Sequence, residues 1–411
     1  GGGPEDIVSR PPKVGIILLW PCGRGDVQPV AALALRLLQL GMTVRLFLPG
    51  SQDDRNLPMI QSLGLEADCS MSICNMYEDI KAFSPDLLLF RFTHAGLAWV
   101  AEERLGCRAV EYCFWPEPPD TEYRWMAVEA QKAVLDAYLK VESLRGFTAE
   151  AASERVWTRP MLLGLSEEVA ERRRYWPAAS AAGGFRATGY WVFPSEHQEG
   201  LFRDGGDANL FGSAAGGELE AFLAAGSPPV YIGWGSVVAI SKVPVPVLAA
   251  TAIRALKLTG NRGIILGSYA DMNEDSLSDA PDAAELKSYS KDNVLWSTCL
   301  PHEWLLPQCF AAVHHGGCST TASALRAGRP TVVTPVTLDH FYWGYCVQRL
   351  GVGQVTKELK DVDAQSLAAA LRACEQQAVL RKAAALGARL QAEDGATQAA
   401  NWLMELARGA K

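Results

Sequence analysis

Short, unbroken apolar runs recur through this chain, each followed by a glycine-bearing turn or a helix-spaced pattern. Lys13 to Trp20 (KVGIILLW) is such a run and PCGRGD the turn after it. From there Val27, Val30, Ala31, Ala34, Leu37 and Leu38 return at helical spacing. Gly41 closes that helix and MTVRLFL reads as a second strand, making a βαβ unit. DLLLFRF at 86–92, a helix near 95–105 and CRAVEYC at 107–113 continue the alternation. A strand that is apolar at consecutive positions buries both its faces, as strands do in a parallel sheet between helices.

The stretch 196–217 contains DGGDANLFGSAAGG and reads as a linker between residues 13–195 and 218–392. Beyond it the alternation restarts. PPVYIGW, RGIILG, DNVLWS, AAVH and TVVTP read as strands and VPVPVLAATAIRALKL as a helix. A chain of 411 residues exceeds one ordinary core, and two α/β halves account for it. Ligands of such sheets bind at the carboxyl ends of the strands, so a cleft between the halves is the expected site. A last helix, in the segment 393–411, carries small and apolar residues at 396, 399, 400, 403 and 407.

Charge and cysteine usage narrow the classes. The formal charge of −8 is spread along the chain and leaves no basic footprint for nucleic acid. None of the ten cysteines forms a C-x-x-C pair, so reduced, buried thiols are expected rather than a zinc site. No apolar stretch approaches the roughly 20 residues of a membrane-spanning helix. The opening GGGPEDIVSRPP reads as a flexible lead outside the fold.

The most distinctive segment is AAVHHGGCSTTASALRAGRPTVVTPVTLDHFYWG, Ala311 to Gly344. AAVHH reads as a strand, GG breaks it, and STTASALRAG reads as a helix closed by Gly328. A helix start offers unpaired N–H groups and about half a positive charge. Glycines let an anion approach the backbone, and Ser319, Thr320 and Thr321 add donors, so the junction is suited to phosphate. The plain alternative is an ordinary strand–turn–helix with a serine cap. PVYIGWGSV places Gly233, Gly235 and Ser236 in a second such turn.

The Ala311–Gly344 segment resembles the donor signature of family 1 UDP-glycosyltransferases, most closely the sterol and antibiotic glycosyltransferase branch. CLPHEWLLPQC (299–309), VYIGWGSV, GRGDVQPVAALALRLLQLGMTVRLF and RATGYW (186–191) resemble further motifs of that branch, in the same order. The resemblance implies an α/β fold of the GT-B type, two Rossmann-like domains facing across a cleft. It places the acceptor in the N-terminal domain and the UDP-sugar in the C-terminal one, with the last helix crossing back to the first domain.

The resemblance also implies roles. His315 matches the histidine that contacts the donor diphosphate, and Gly316, Gly317, Cys318, Ser319 and Thr320 the backbone and hydroxyl donors beside it. His314 reads instead as a histidine packed between layers. Ser236, Leu300 and His302 match positions near the phosphates and uracil. Asp339 matches the carboxylate that holds sugar hydroxyls. His340 stands where the family has glutamine, and Leu338 where it has glycine, which leaves the donor sugar open with glucose the default. Asp26 matches the general base of GRGD; its structural alternative is the N-cap of a helix beginning at 27. His94 is a rival base. No metal and no cofactor beyond the UDP-sugar donor is called for.

For the acceptor, Phe92, His94, Tyr112, Trp115 and Trp125, with Phe114 and Tyr123 nearby, could line an apolar cavity or simply form core. An apolar wall suits a sterol, a triterpenoid or a polyketide. The expected partners are therefore a UDP-sugar and a lipophilic small molecule, with no nucleic acid. The expected location is the cytoplasm, with peripheral membrane contact compatible with such an acceptor. A nucleotide-sugar epimerase or hydrolase, and a nucleotide-sugar-binding protein without turnover, are the competing readings.

Overall fold

A computed structural model describes residues 10–18, 24–50, 56–116, 131, 133–140, 159–171, 184–193, 216–267, 270–337 and 339–409. The chain divides into two compact units. The first comprises Gly1–Leu165, Arg172–Val192 and Asp394–Lys411; the second, Ser166–Glu171 and Phe193–Glu393.

The first unit holds a seven-stranded sheet in the order β3-β2-β1-β4-β5-β6-β7. Its strands are β1 (Lys13–Ile17), β2 (Thr43–Pro49), β3 (Ala67–Ser70), β4 (Leu87–Phe90), β5 (Arg108–Cys113), β6 (Pro160–Leu163) and β7 (Gly184–Ala187), every described pair parallel. Four correspond to apolar runs. Strands β3 (ADCS) and β7 (GFRA) carry no such signal and lie at the edges, while β6 (PMLL) is apolar but only four residues long. Helix α1 (Arg24–Gln39) begins before residue 27, so Asp26 lies in its first turn and is not its N-cap. Helices α2 (Leu57–Ser62), α3 (Ile73–Phe83) and α4 (Ala95–Leu105) follow. Tyr112 is 1% exposed and its hydroxyl donates to the Ile17 carbonyl at 2.9 Å. Phe114 and Trp191 pack on it at 5.6 and 6.1 Å, so this aromatic group is core.

The second unit holds a six-stranded parallel sheet in the order β10-β9-β8-β11-β12-β13. Its first elements are α5 (Gly216–Ala224), β8 (Val230–Gly233), α6 (Val245–Thr259), β9 (Gly263–Leu266), α7 (Ala283–Asn293) and β10 (Val294–Ser297). Then come α8 (His302–Leu305), β11 (Ala311–His314), α9 (Cys318–Arg326), β12 (Thr331–Val333), α10 (Asp339–Leu350) and β13 (Gly353–Val355). Helices α11 (Ala364–Cys374) and α12 (Gln377–Gln391) complete it. Its core gathers Val230, Ile232, Trp234, Ile253, Leu256, Val313, Val332 and Leu371, the strand residues among them sharing one face of the sheet.

Residues 166–171 are tied into this unit by polar contacts. Ser166 donates to Glu393 at 2.6 Å, Arg389 pairs with Glu168 at 2.8 Å, and Arg349 reaches Glu171 and the Val169 carbonyl. The last helix, α13 (Gly395–Gly409), groups with the first unit and packs on α1. Ala396, Ala399, Ala400, Leu403 and Ala407 are all buried. Most of the stretch 196–217 lies outside the described residues, as does Leu338. All nine described cysteines are free thiols; burial raises Cys107, Cys309 and Cys374 to about 12. No described helix is long and apolar enough to cross a membrane.

Candidate functional site

The site in the second unit is built at the carboxyl ends of β8, β11 and β12, which are neighbours in the sheet. Strand β11 ends at His314, whose imidazole is fully buried and whose Nδ1 accepts the Gly316 N–H at 3.0 Å. Its Nε2 has no partner among the described residues. The bond holds the chain in a tight reversal with Gly316 at φ 92°, a conformation that favours glycine. A side chain there would also meet Val333 and the His340 backbone. Helix α9 starts immediately afterwards, with Gly317 at its N-cap and no side chain closing the first turn. Gly317 itself supplies no side-chain cap to the leading N–H groups.

His315 stands over this helix start. Gly235, at φ 60°, lies on one side of the ring, and a β-carbon there would sit 3.4 Å from His315 Cε1. A β-carbon on Gly317, on another side, would collide with His315 Nε2. Both glycines therefore make room for the imidazole. The His340 ring meets it edge to face, 4.9 Å away, and His315 Nδ1 has no side-chain hydrogen-bond partner among the described residues. Burial, reinforced by the neighbouring imidazoles, holds His315 well below the usual histidine range.

The surrounding residues are fixed by hydrogen bonds. Trp234 Nε1 donates to Thr334 at 2.9 Å, and Thr334 N–H donates to the His314 carbonyl at 2.9 Å, lacing β8, β12 and β11 together. His302 Nε2 lies 2.8 Å from the buried Tyr231 hydroxyl. Burial raises Tyr231, so the phenol stays protonated beside the imidazole. Thr337 N–H donates to His340 Nδ1 at 3.1 Å, which places that ring's proton on Nε2. Burial lowers His302 and His340 to about 4 and His314 to about 3, so all are neutral near pH 7. The far end of α9 is anchored as well: Arg326 pairs with Glu303 of α8 at 3.2 Å and donates to the Leu390 carbonyl at 2.6 Å.

Several residues named from the sequence are gathered here: His315, Gly317, Cys318, Ser319 and Thr320 at the helix start, with Asp339 in the first turn of α10 beside His340. Ser236 is exposed in the turn after β8, and the Leu300 side chain is buried at 4% exposure. Tyr231, Thr334 and Thr337, which hold the histidines in place, were not singled out in the sequence. A tyrosine inside an apolar strand does carry a signal, because its hydroxyl needs a buried partner.

In the first unit Asp26 is half-buried in the first turn of α1, at the carboxyl end of β1. His94 follows β4 in a short 3-10 turn, Phe92–His94, and lines a cavity of about 420 Å3. Burial lowers His94 to about 4. Phe92 and Trp115 are half-buried, Tyr112 is core, and Trp125 and Tyr123 lie outside the described residues.

Residues 265–406 match the family described as the erythromycin biosynthesis protein CIII-like C-terminal domain. A sterol 3-beta-glucosyltransferase of Arabidopsis thaliana is 33% identical over 183 residues, 44% of this chain and 27% of that protein. One from Debaryomyces hansenii is 32% identical over 231 residues, 54% of this chain and 13% of that protein. The chain thus spans well under a third of the length of these relatives. Among solved structures, the glycosyltransferase of kitacinnamycin aligns with TM-score 0.70 at 18% identity, covering 97% of this chain and all of that one. The calicheamicin glycosyltransferase CalG4 aligns with TM-score 0.68 at 14% identity, covering 98% of this chain and all of its own. The chain has the GT-B fold, two Rossmann-like domains, and its sequence is similar to the sterol and antibiotic branch of the family 1 UDP-glycosyltransferases.

Proposed function

We propose that the protein is an inverting glycosyltransferase that moves a sugar, by default glucose, from a UDP-sugar to a hydroxyl of a lipophilic small molecule such as a sterol or triterpenoid. The observation that carries this reading is the glycine-led start of α9, with His315 held over it between Gly235 and Gly317.

In that reaction the acceptor oxygen forms a bond to the anomeric carbon on the face opposite UDP while the bond to the diphosphate oxygen breaks. Negative charge grows on the departing phosphate. The N–H groups of Cys318, Ser319 and Thr320, their hydroxyl and thiol groups, and His315 meet that charge. A preorganised donor of this kind contributes about 3–4 kcal/mol to the transition state. Because these groups take up leaving-group charge, the reading requires no metal ion. Asp26 takes the acceptor proton as the C–O bond forms; an alcohol is too weak an acid to lose it earlier. Asp339 and His340 hold sugar hydroxyls, His340 through its Nε2–H donor. Ser236, Leu300 and His302 border the phosphates and the base.

Mass-detected transfer in a screen of UDP-glucose and other nucleotide sugars against sterols, triterpenoids and polyketides tests the reading. Transfer to a sterol supports it. Transfer only to polyketide or phenolic acceptors, an alternative favoured by the likeness to antibiotic glycosyltransferases, keeps the chemistry and changes the substrate class. Tight UDP-sugar binding with no transfer would make the protein a nucleotide-sugar binder.

A further inference from the structure

The 420 Å3 cavity of the first unit lies within the roughly 300–1,000 Å3 of small-molecule sites. Pro49, Met71, Ile73 and Met76 form its apolar wall. Its polar side chains are nearly all occupied. Ser70 donates to Asp79 at 2.6 Å, and Ser72 donates to Asn75 Oδ1 at 2.8 Å while capping α3. Thr93 Oγ1 lies 3.1 Å from His94 Nδ1. His94 Nε2 is left without a partner among the described residues. The turn bearing it is clamped by Gln131, which donates to the Thr93 carbonyl and accepts the Leu97 N–H at 3.1 Å.

The cavity's place in the sheet gives it meaning. Its lining follows the carboxyl ends of β2, β3 and β4. Strand β1 runs between β2 and β4, and the chain leaving β1 enters α1, where Asp26 lies. Cavity and candidate base therefore share one edge of the sheet. Methionines suit an apolar ligand whose outline is not matched in advance, since the thioether side chain adapts its shape. Met71 is 74% exposed, an apolar surface that a bound ligand would cover.

We propose that this cavity, and not the aromatic group around Tyr112, seats the acceptor: Met71, Ile73 and Met76 hold an apolar ring system, and His94 binds its hydroxyl. The proposal rests on the glycosyltransferase reading for the ligand's role; the occupant is an apolar molecule with one hydroxyl in either case. Methionine lining further implies tolerance of several acceptors of similar size.

Dehydroergosterol, a fluorescent sterol, titrated into the full chain without donor tests it directly. Saturable binding is expected. Ile73→Asp should weaken it by about tenfold or more, roughly 1.4 kcal/mol, while calorimetric UDP affinity stays unchanged. Residue 73 opens α3, where an aspartate favours the helix, so the fold should persist. Met71→Asp, at an exposed position, gives the same readout should Ile73→Asp unfold. Cholestanol should displace the probe better than cholestane from the wild type, and His94→Phe should abolish that difference. No binding by the wild type, or wild-type binding in a folded aspartate variant, would overturn the proposal. Binding that responds to the variants in a protein that glycosylates no acceptor would keep the cavity and remove the transferase reading.

Discussion

Asp26 and His315 carry the proposed chemistry, and each can be separated from a purely structural role. Asp26→Asn keeps the size of the side chain but cannot take a proton. If Asp26 is the base, UDP binding and Tm should stay near wild type while transfer falls by about 10²–10⁴-fold. If it only complements the positive end of α1, transfer survives in both Asp26→Asn and Asp26→Ala. Loss of that charge then costs about 0.3–1 kcal/mol, read by denaturant titration. Retention of transfer in both variants would shift attention to His94. That imidazole, lowered to about 4 by burial, is a weak base for the step. His315→Ala should weaken UDP binding and slow turnover. Gly317→Ala should do the same without removing any polar group, because the added methyl displaces the His315 ring. Calorimetric UDP affinity unchanged in both folded variants would take His315 out of the phosphate site.

Among the elements, α13 depends on a glycine at its start. A β-carbon on Gly395 would run into the backbone of Gly189 and Tyr190, which cannot rotate away as a side chain can. Gly395→Ala should therefore destabilise the first unit by about 1–3 kcal/mol, the usual cost of overpacking. Urea titration measures this, and a wild-type midpoint would show that the helix start has room to shift. The elements also mark where sequence patterns stop being legible. Strands β1, β2, β8 and β11 are apolar at nearly every position because helices cover both faces, so they are recognisable one by one. Strands β3, β7 and β13 read as ADCS, GFRA and GQV and become strands through their pairing with a neighbour. The strand–glycine–helix junction at 311–326 was legible because φ 92° at Gly316 favours glycine and the His315 ring leaves no room for a side chain at Gly317. The start of α1 was placed late, since GRGD resembles a loop and the helix that includes it is decided by packing.

For the whole molecule, the buried histidines predict a pH response. Folding lowers His302 and His340 to about 4 and His314 to about 3. An unfolded imidazole titrates near 6.5. Between those values the unfolded chain binds protons that the folded chain does not, so stability rises with pH in that window. The contribution is complete above about pH 6.5 and is lost as the pH falls towards 4. Tm should drop across that range. A diphosphate beside His315 favours the charged imidazole, so UDP should raise Tm more at pH 5.5 than at pH 7.5. Calorimetric scans with and without UDP check both; an equal UDP effect at the two pH values would argue against phosphate among the histidines. Transfer should also persist in EDTA. Activity lost in chelator and restored by magnesium or manganese would show that the helix start and His315 do not suffice for the leaving group.

The sequence by itself determined the class of fold, two alternating α/β halves, because burial on both faces of a parallel sheet leaves unbroken apolar runs. It also marked the candidate anion seat, because a backbone reversal leading into a helix start favours a run of glycines and small residues. Only the tertiary structure decided which polar atoms are occupied. That Tyr231 engages His302, that Thr337 sets the tautomer of His340, and that Tyr112 is core rather than pocket all depend on contacts distant in the chain or set by local geometry. The cavity was hidden for the same reason. Pro49, Met71, Met76 and His94 belong to different elements, no spacing links them, and they line one space only because β1 lies between β2 and β4.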